Sequence, residues 1–115
     1  MGNKYTEVNL EEGKPTCELA IRRLTFHVNS KKELGYLAVK IIHGYGSSGT
    51  GGRIRVKARE YLASLKRRGV IRDFVPGESF SIFDASTRKI LDAVPEVRAD
   101  RDLERHNNGV TIILL

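Results

Sequence analysis

A mostly apolar run, Tyr36 to Ile42 (YLAVKII), leads straight into His43 and then into GYGSSGTGG. An amphipathic stretch follows without a break. A buried strand, a glycine turn and a helix in immediate succession form half of a βαβ unit, and such units commit a chain to a largely parallel or mixed sheet. Only Lys40 interrupts the run, as expected for a central strand covered on both faces. The second helix is predicted at about 53–68. Ile54, Ala58, Tyr61, Leu62 and Leu65 form its apolar stripe, while Arg55, Arg59, Lys66 and Arg67 point elsewhere. Lys66, Arg67 and Arg68 suit the helix dipole at its end, and Gly69 caps it.

The flanking segments extend the pattern. Tyr5 to Leu10 (YTEVNL) alternates as a short strand. Pro15 and Thr16 then open a first helix, in which Cys17, Ile21, Leu24 and Val28 recur at helical spacing. Leu19 and Phe26 fall on roughly the opposite face, and need cover from another part of the chain or from a partner. Val70 to Val75 reads as a third strand and Gly109 to Leu115 as a last one. Between them Phe80, Ile82 and Phe83 form a short strand or simply pack. Asp84 or Ser86 caps a helix carrying Ile90, Leu91 and Val94. The order β-α-β-α-β, an irregular excursion over about 78–108, then β predicts an α/β two-layer sandwich, with a mixed four-stranded sheet and two main helices. Residues 1–115 make a single domain. The excursion is expected to cover Leu19 and Phe26.

Composition narrows the partners. With 20 Lys and Arg against 14 Asp and Glu, the net charge is +6 and the pI is about 9.7. That balance favours a polyanion such as nucleic acid or an acidic membrane surface. Cys17 is the single cysteine, so neither an internal disulfide nor a cysteine zinc site is expected. It is read as a buried core thiol. The polar N-terminus has no apolar signal core, and no run approaches the length of a membrane span. The cytoplasm is the expected compartment. No cofactor and no metal site are expected.

The glycine turn carries the chemistry. It holds five glycines in nine residues, more than a chain reversal needs. Glycine backbone allows close approach of a ligand, and free N–H groups at the following helix start favour an anion. Gly44, Gly46, Gly49, Gly51 and Gly52 supply that backbone. Ser47, Ser48 and Thr50 add hydroxyls, and Arg53 and Arg55 add fixed charge. Cations at a helix N-terminus oppose its dipole unless a phosphate bridges them. The spacing of Gly44, Gly46 and Gly49 also fits G-x-G-x-x-G, but Asp73 lies inside its strand and the chain is short for a dinucleotide site. His43 ends the central strand, at the sheet edge where α/β proteins bind ligands. His27 and His106 have no comparable context.

The stretch from Val39 to Leu62 resembles the Smr (small MutS-related) family. His43, Gly44 and Gly46 match its H-G-x-G motif, and Thr50-Gly51 matches the pair that often follows. Arg59-Glu60-Tyr61-Leu62 resembles its Arg-Glu-Trp-Leu, and GVTIILL fits its closing strand. The resemblance covers most of the chain. It implies a fold similar to the C-terminal domain of translation initiation factor three, and nucleic-acid binding, with RNA slightly favoured over DNA. It also implies endonuclease activity, since several members nick DNA or cleave RNA.

The sequence departs from the family where cleavage is concerned. The usual Leu-Asp-x-His-Gly is replaced by Val8-Asn9-Leu10-Glu11, with Gly13 displaced. The glycine loop is longer than usual, and 78–108 is an insertion relative to compact members. Glu11 as base and His43 as acid are the remaining candidate catalytic pair, since asparagine does not titrate. Binding is expected to survive and cleavage to be slow, different or absent. A nucleotide-binding module, and a protein-binding or self-associating module using Leu19 and Phe26, are the further alternatives.

Overall fold

The computed structural model describes residues 4–44 and 49–115. Its elements are β1 (Tyr5–Asn9), α1 (Cys17–Glu33), β2 (Ala38–Ile42), α2 (Gly49–Arg67), β3 (Asp73–Pro76), α3 (Ala85–Ala93) and β4 (Val110–Leu114). Two 3₁₀ turns lie at Gly77–Ser79 and Pro95–Ala99. The four strands form one mixed sheet in the order β1-β2-β4-β3. β1 and β2 are parallel, whereas β4 runs antiparallel to both β2 and β3. The α/β sandwich expected from the sequence is therefore present.

The two main helices share one face of the sheet. Leu24 and Val28 of α1 and Ala58, Leu62 and Leu65 of α2 pack with Val8, Val39, Ile41 and Ile113. Thr16 caps α1 by accepting from the Leu19 N–H at 3.2 Å, as its position before the apolar stripe predicts. The stripe is narrower than its spacing suggested. Ala20, Leu24 and Val28 are buried, whereas Cys17 is only half-buried. The buried thiol expected at Cys17 is thus corrected: it lies at the exposed start of the helix, where the stripe has not yet met the sheet.

The second face is covered by the excursion. Phe80, Ile90, Leu91, Val94 and Val97 pack on Ala38, Val75, Val110, Ile112 and Leu114. Segment 78–108 therefore does not reach Leu19 and Phe26, which remain exposed at 41% and 65%. They sit on α1, on the far side of the sheet from the excursion. Of the three residues expected to pack together or form a strand, Phe80 is fully buried, while Ile82 and Phe83 are exposed. Asp84 does cap α3, accepting from the Thr87 N–H at 2.9 Å.

Two boundaries shift for identifiable reasons. α2 begins inside the glycine-rich segment, because glycine only weakens a helix, by about 1 kcal/mol per residue, and the buried Ile54–Ala58–Leu62 stripe outweighs this. β3 begins later than Val70. Gly69 takes φ +73°, its N–H reaches Lys66 O, and Val70 N–H reaches Leu65 O. Those two residues close the helix in a Schellman cap before the chain can join the sheet. Pro76 is accommodated at the end of β3, which is an edge strand. No described helix is long and apolar enough to cross a membrane.

Candidate functional site

The sheet topology brings four chain segments to one end. β1 and β2 are parallel and β3 shares their direction, so all three finish there, and antiparallel β4 starts there. The segments are Asn9–Glu11, Ile42–Gly44, Pro76–Glu78 and Asn108–Val110. The N-terminus of α2 opens at the same end.

His43 and Gly44 are fixed first by backbone. Both N–H groups donate to Gly109 O at 3.0 Å. Gly44 has φ +74°, and a methyl group there would collide with the Glu11 carboxylate. Glycine is favoured at position 44 chiefly for its left-handed conformation, and it also leaves room for the Glu11 carboxylate to lie against the turn. Glu11 is itself set by a local turn. Its N–H donates to Asn9 Oδ1 at 2.8 Å, and Lys14 N–H donates to Glu11 O at 2.9 Å. Asn9 thus shapes the turn that aims Glu11.

The His43 ring is fully buried and doubly hydrogen-bonded. Nδ1 lies 2.8 Å from Gly44 O and Nε2 lies 2.8 Å from Thr111 Oγ1. A carbonyl only accepts, so Nδ1 carries the proton and Nε2 accepts from the threonine hydroxyl. Burial pushes the His43 pKa down to about 4, against the pull of the Gly44 carbonyl, and nearby Arg59 and Arg55 lower it further. The ring is neutral at pH 7 and acts on the turn rather than outward.

A polar chain that the sequence did not reveal supports it. Arg59 Nε donates to Thr111 Oγ1 at 3.3 Å. Its two terminal nitrogens grip Glu78 at 2.7 Å each, and one also reaches Asn108 O at 3.2 Å. Burial favours the protonated Glu78 carboxyl, but Arg59 outweighs it and holds the group below its ordinary range. The sequence placed Arg59 on the polar side of α2 with no partner in view. Its partners, Thr111, Glu78, Asn108 and Val110, lie 19 to 52 residues away.

Around this buried frame lie the exposed cations. Arg53 is exposed and Arg55 half-buried, and the first turn of α2 has no acidic residue to offset its dipole. Gly49, Thr50, Gly51 and Gly52 belong to that first turn. The expected binding residues Gly46, Ser47 and Ser48 lie outside the described residues. Glu11, His43 and Gly44 are brought together at the turn's first step; Leu19 and Phe26 belong to a separate surface.

A second unforeseen cluster lies under the excursion. Lys40, 1% exposed, contacts Asp100 at 2.9 Å, Asp102, and Glu7 at 3.7 Å. Tyr5 Oη donates to Asp100 Oδ2 at 2.6 Å. Burial would lower the Lys40 pKa, but the two aspartates outweigh it and raise it. A lysine inside an apolar strand was the signal; its partners, 60 residues on, were not legible.

No family model matches the chain, and no curated protein is significantly similar to it in sequence.

Proposed function

We propose that this is a Smr-like nucleic-acid-binding domain that grips backbone phosphate where the glycine turn enters α2. The observation that supports it best is the α2 N-terminus. A glycine-built first turn with no acid, carrying Arg53 and Arg55, opens at the end of the sheet where the three like-directed strands finish. Free N–H groups and the helix dipole attract an anion, and a bound phosphate would relieve the clash between the arginines and that dipole. The His43–Thr111–Arg59–Glu78 chain, buried at its His43–Thr111 end, holds the turn's first residue in place. The cytoplasm suits such a domain with its unpaired Cys17.

The test is binding of end-labelled RNA and DNA, single-stranded and duplex, across a salt series. Affinity that falls steeply with salt, and falls again in Arg53→Ala/Arg55→Ala, supports the reading. Salt-independent binding, or none, overturns it.

Endonuclease activity is the second reading, favoured by one observation: the Glu11 carboxylate lies against Gly44 at the mouth of the turn. Glu11 would be the base. His43 would have to leave its buried pocket and gain a proton to serve as acid. Cleavage of a labelled strand that is lost in Glu11→Gln supports this reading; no cleavage of any strand removes it, and unchanged cleavage in Glu11→Gln removes Glu11 as its base.

A further inference from the structure

A separate groove runs between α3 and the start of β3. It has a volume of about 570 Å³ and is lined by Arg72, Ala85, Arg88, Lys89, Asp92 and Ala93. Arg72 stands just before β3, whose first residue pairs with Leu114, while the other end of β3 pairs with Thr111 beside His43. The groove therefore has its basic wall at the opposite end of β3 from the glycine turn.

Three cations and one acid line it, and the cations differ in what they already satisfy. Lys89 is partly engaged, 3.8 Å from buried Asp73 and 3.4 Å from Arg72 O. Asp73 also has Lys66 at 3.0 Å, so its charge is already compensated. Among the described residues, neither Arg72 nor Arg88 pairs with a carboxylate. Arg88 instead donates to Ile82 O at 2.9 Å, which fixes it beside the turn that leads into α3. Phe83, the next residue, is 85% exposed, the most exposed large apolar side chain in the described chain. Its turn is well tied: Ile82 N–H donates to Glu104 at 2.8 Å and Asp84 N–H to Ser81 O at 2.9 Å. An aromatic ring is thus held out in solvent on a fixed turn just before α3, whose Ala85, Arg88 and Lys89 line the groove.

We propose that this groove is a second nucleic-acid site, taking a single strand whose phosphates lie along Arg72, Arg88 and Lys89 and one of whose bases stacks on Phe83. A repeating polyanion matches the uncompensated arginines, and an unpaired base has the flat face that an open phenyl ring accepts. A duplex offers no such face. A bilayer is a poor occupant, because the cations line a groove rather than a plane and, among the described residues, Ile82 is the exposed large apolar neighbour of Phe83 in sequence.

The experiment measures fluorescence anisotropy of a labelled twelve-nucleotide thymidine strand and of an abasic strand of equal length. The full chain is compared with Phe83→Ala, Arg72→Gln/Arg88→Gln and Arg53→Ala/Arg55→Ala. Phe83→Ala is expected to weaken the base-bearing strand about tenfold and the abasic strand less than about twofold. Arg72→Gln/Arg88→Gln should weaken both strands and flatten their salt dependence. Arg53, Arg72 and Arg88 are exposed and Arg55 is half-buried, and equal melting temperatures verify folding of every variant. If neither groove variant changes binding while the Arg53/Arg55 variant does, the second site is overturned and the glycine-turn reading stands. If the groove variants weaken binding and the Arg53/Arg55 variant does not, the second site stands and the turn reading fails. Loss of Phe83→Ala from phosphatidylserine vesicles, with strand binding unchanged, assigns the patch to a membrane surface and overturns the proposal.

Discussion

Lowering the pH should unlock the glycine turn through His43. The ring's pKa is about 4 in the folded protein against an ordinary 6.5. A base whose folded pKa is depressed stabilises the fold fully above its unfolded pKa, and that contribution is lost as pH falls toward the folded value. The difference of about 2.5 units corresponds to roughly 3 kcal/mol, of which about 2 kcal/mol is gone by pH 5. That is a large share of the stability of an ordinary domain. The carboxylates held low by cations, Asp73, Glu78 and Asp102, keep their stabilising contribution through this range and lose it only as pH falls below the ordinary carboxylate pKa of about 4. His27 is also depressed, by burial and by Lys31 and Arg23, but it is common to any His43 comparison. The assay is urea unfolding at pH 7.5, 6.5, 5.5 and 5.0 for the wild type and for His43→Gln, which keeps hydrogen-bonding capacity but does not titrate. The variant should start less stable and lose about 2 kcal/mol less than the wild type between pH 7.5 and 5. Parallel profiles, within about 0.5 kcal/mol, would refute the assignment of His43 as a buried neutral ring.

Three further outcomes are expected. Gly44→Ala should cost about 1–3 kcal/mol, mainly from its positive φ, with a smaller part from displacing the Glu11 carboxylate. Adding Glu11→Ala should return part of that loss, read as a partial recovery of the melting temperature. Lys40→Met should cost about 3–5 kcal/mol, because it strands Asp100 and Asp102 in a buried site, and Lys40→Met/Asp100→Asn/Asp102→Asn should be markedly more stable than the single variant in urea. Phe26→Asp should leave stability within about 0.5 kcal/mol, since the ring is exposed; a larger loss would mean that this face is covered in solution, and sedimentation would identify a second copy as the cover.

The strands, the two main helices and the cap residues Thr16, Asp84 and Gly69 were legible because their signals are local. Apolar period, a hydroxyl or carboxylate before a helix, and a glycine after one each act within a few residues. What failed to show was pairing across the sheet. The faces of α1 gave Leu19 and Phe26 as surfaces in need of cover, and the excursion as a cover in need of a surface. Nothing in a linear pattern says that the excursion lies on the other side. The same limit applies at the site. His43 was visible from its place at the end of β2, but its burial depends on Thr111 and on Arg59, contributed by another strand and another helix. An exposed histidine beside a glycine loop suggests an acid; a buried one bonded at both nitrogens holds the backbone. Lys40 was visible as an anomaly, and its meaning waited on two aspartates in a polar loop.

The strand order has a consequence for how the molecule comes into being. β4 follows β3 in sequence, yet it lies between β2 and β3, and all five of its residues are buried. During synthesis β2 and β3 have no common neighbour until Val110–Leu114 leaves the ribosome. Until then both cores lack their shared wall: Ile113 is missing from beneath the helices, and Val110, Ile112 and Leu114 from beneath the excursion. The Gly109 carbonyl that anchors His43 and Gly44 arrives with the same segment. The nascent domain thus stays an open, apolar half-sheet, and its glycine turn gains its backbone anchor only when β4 slots in.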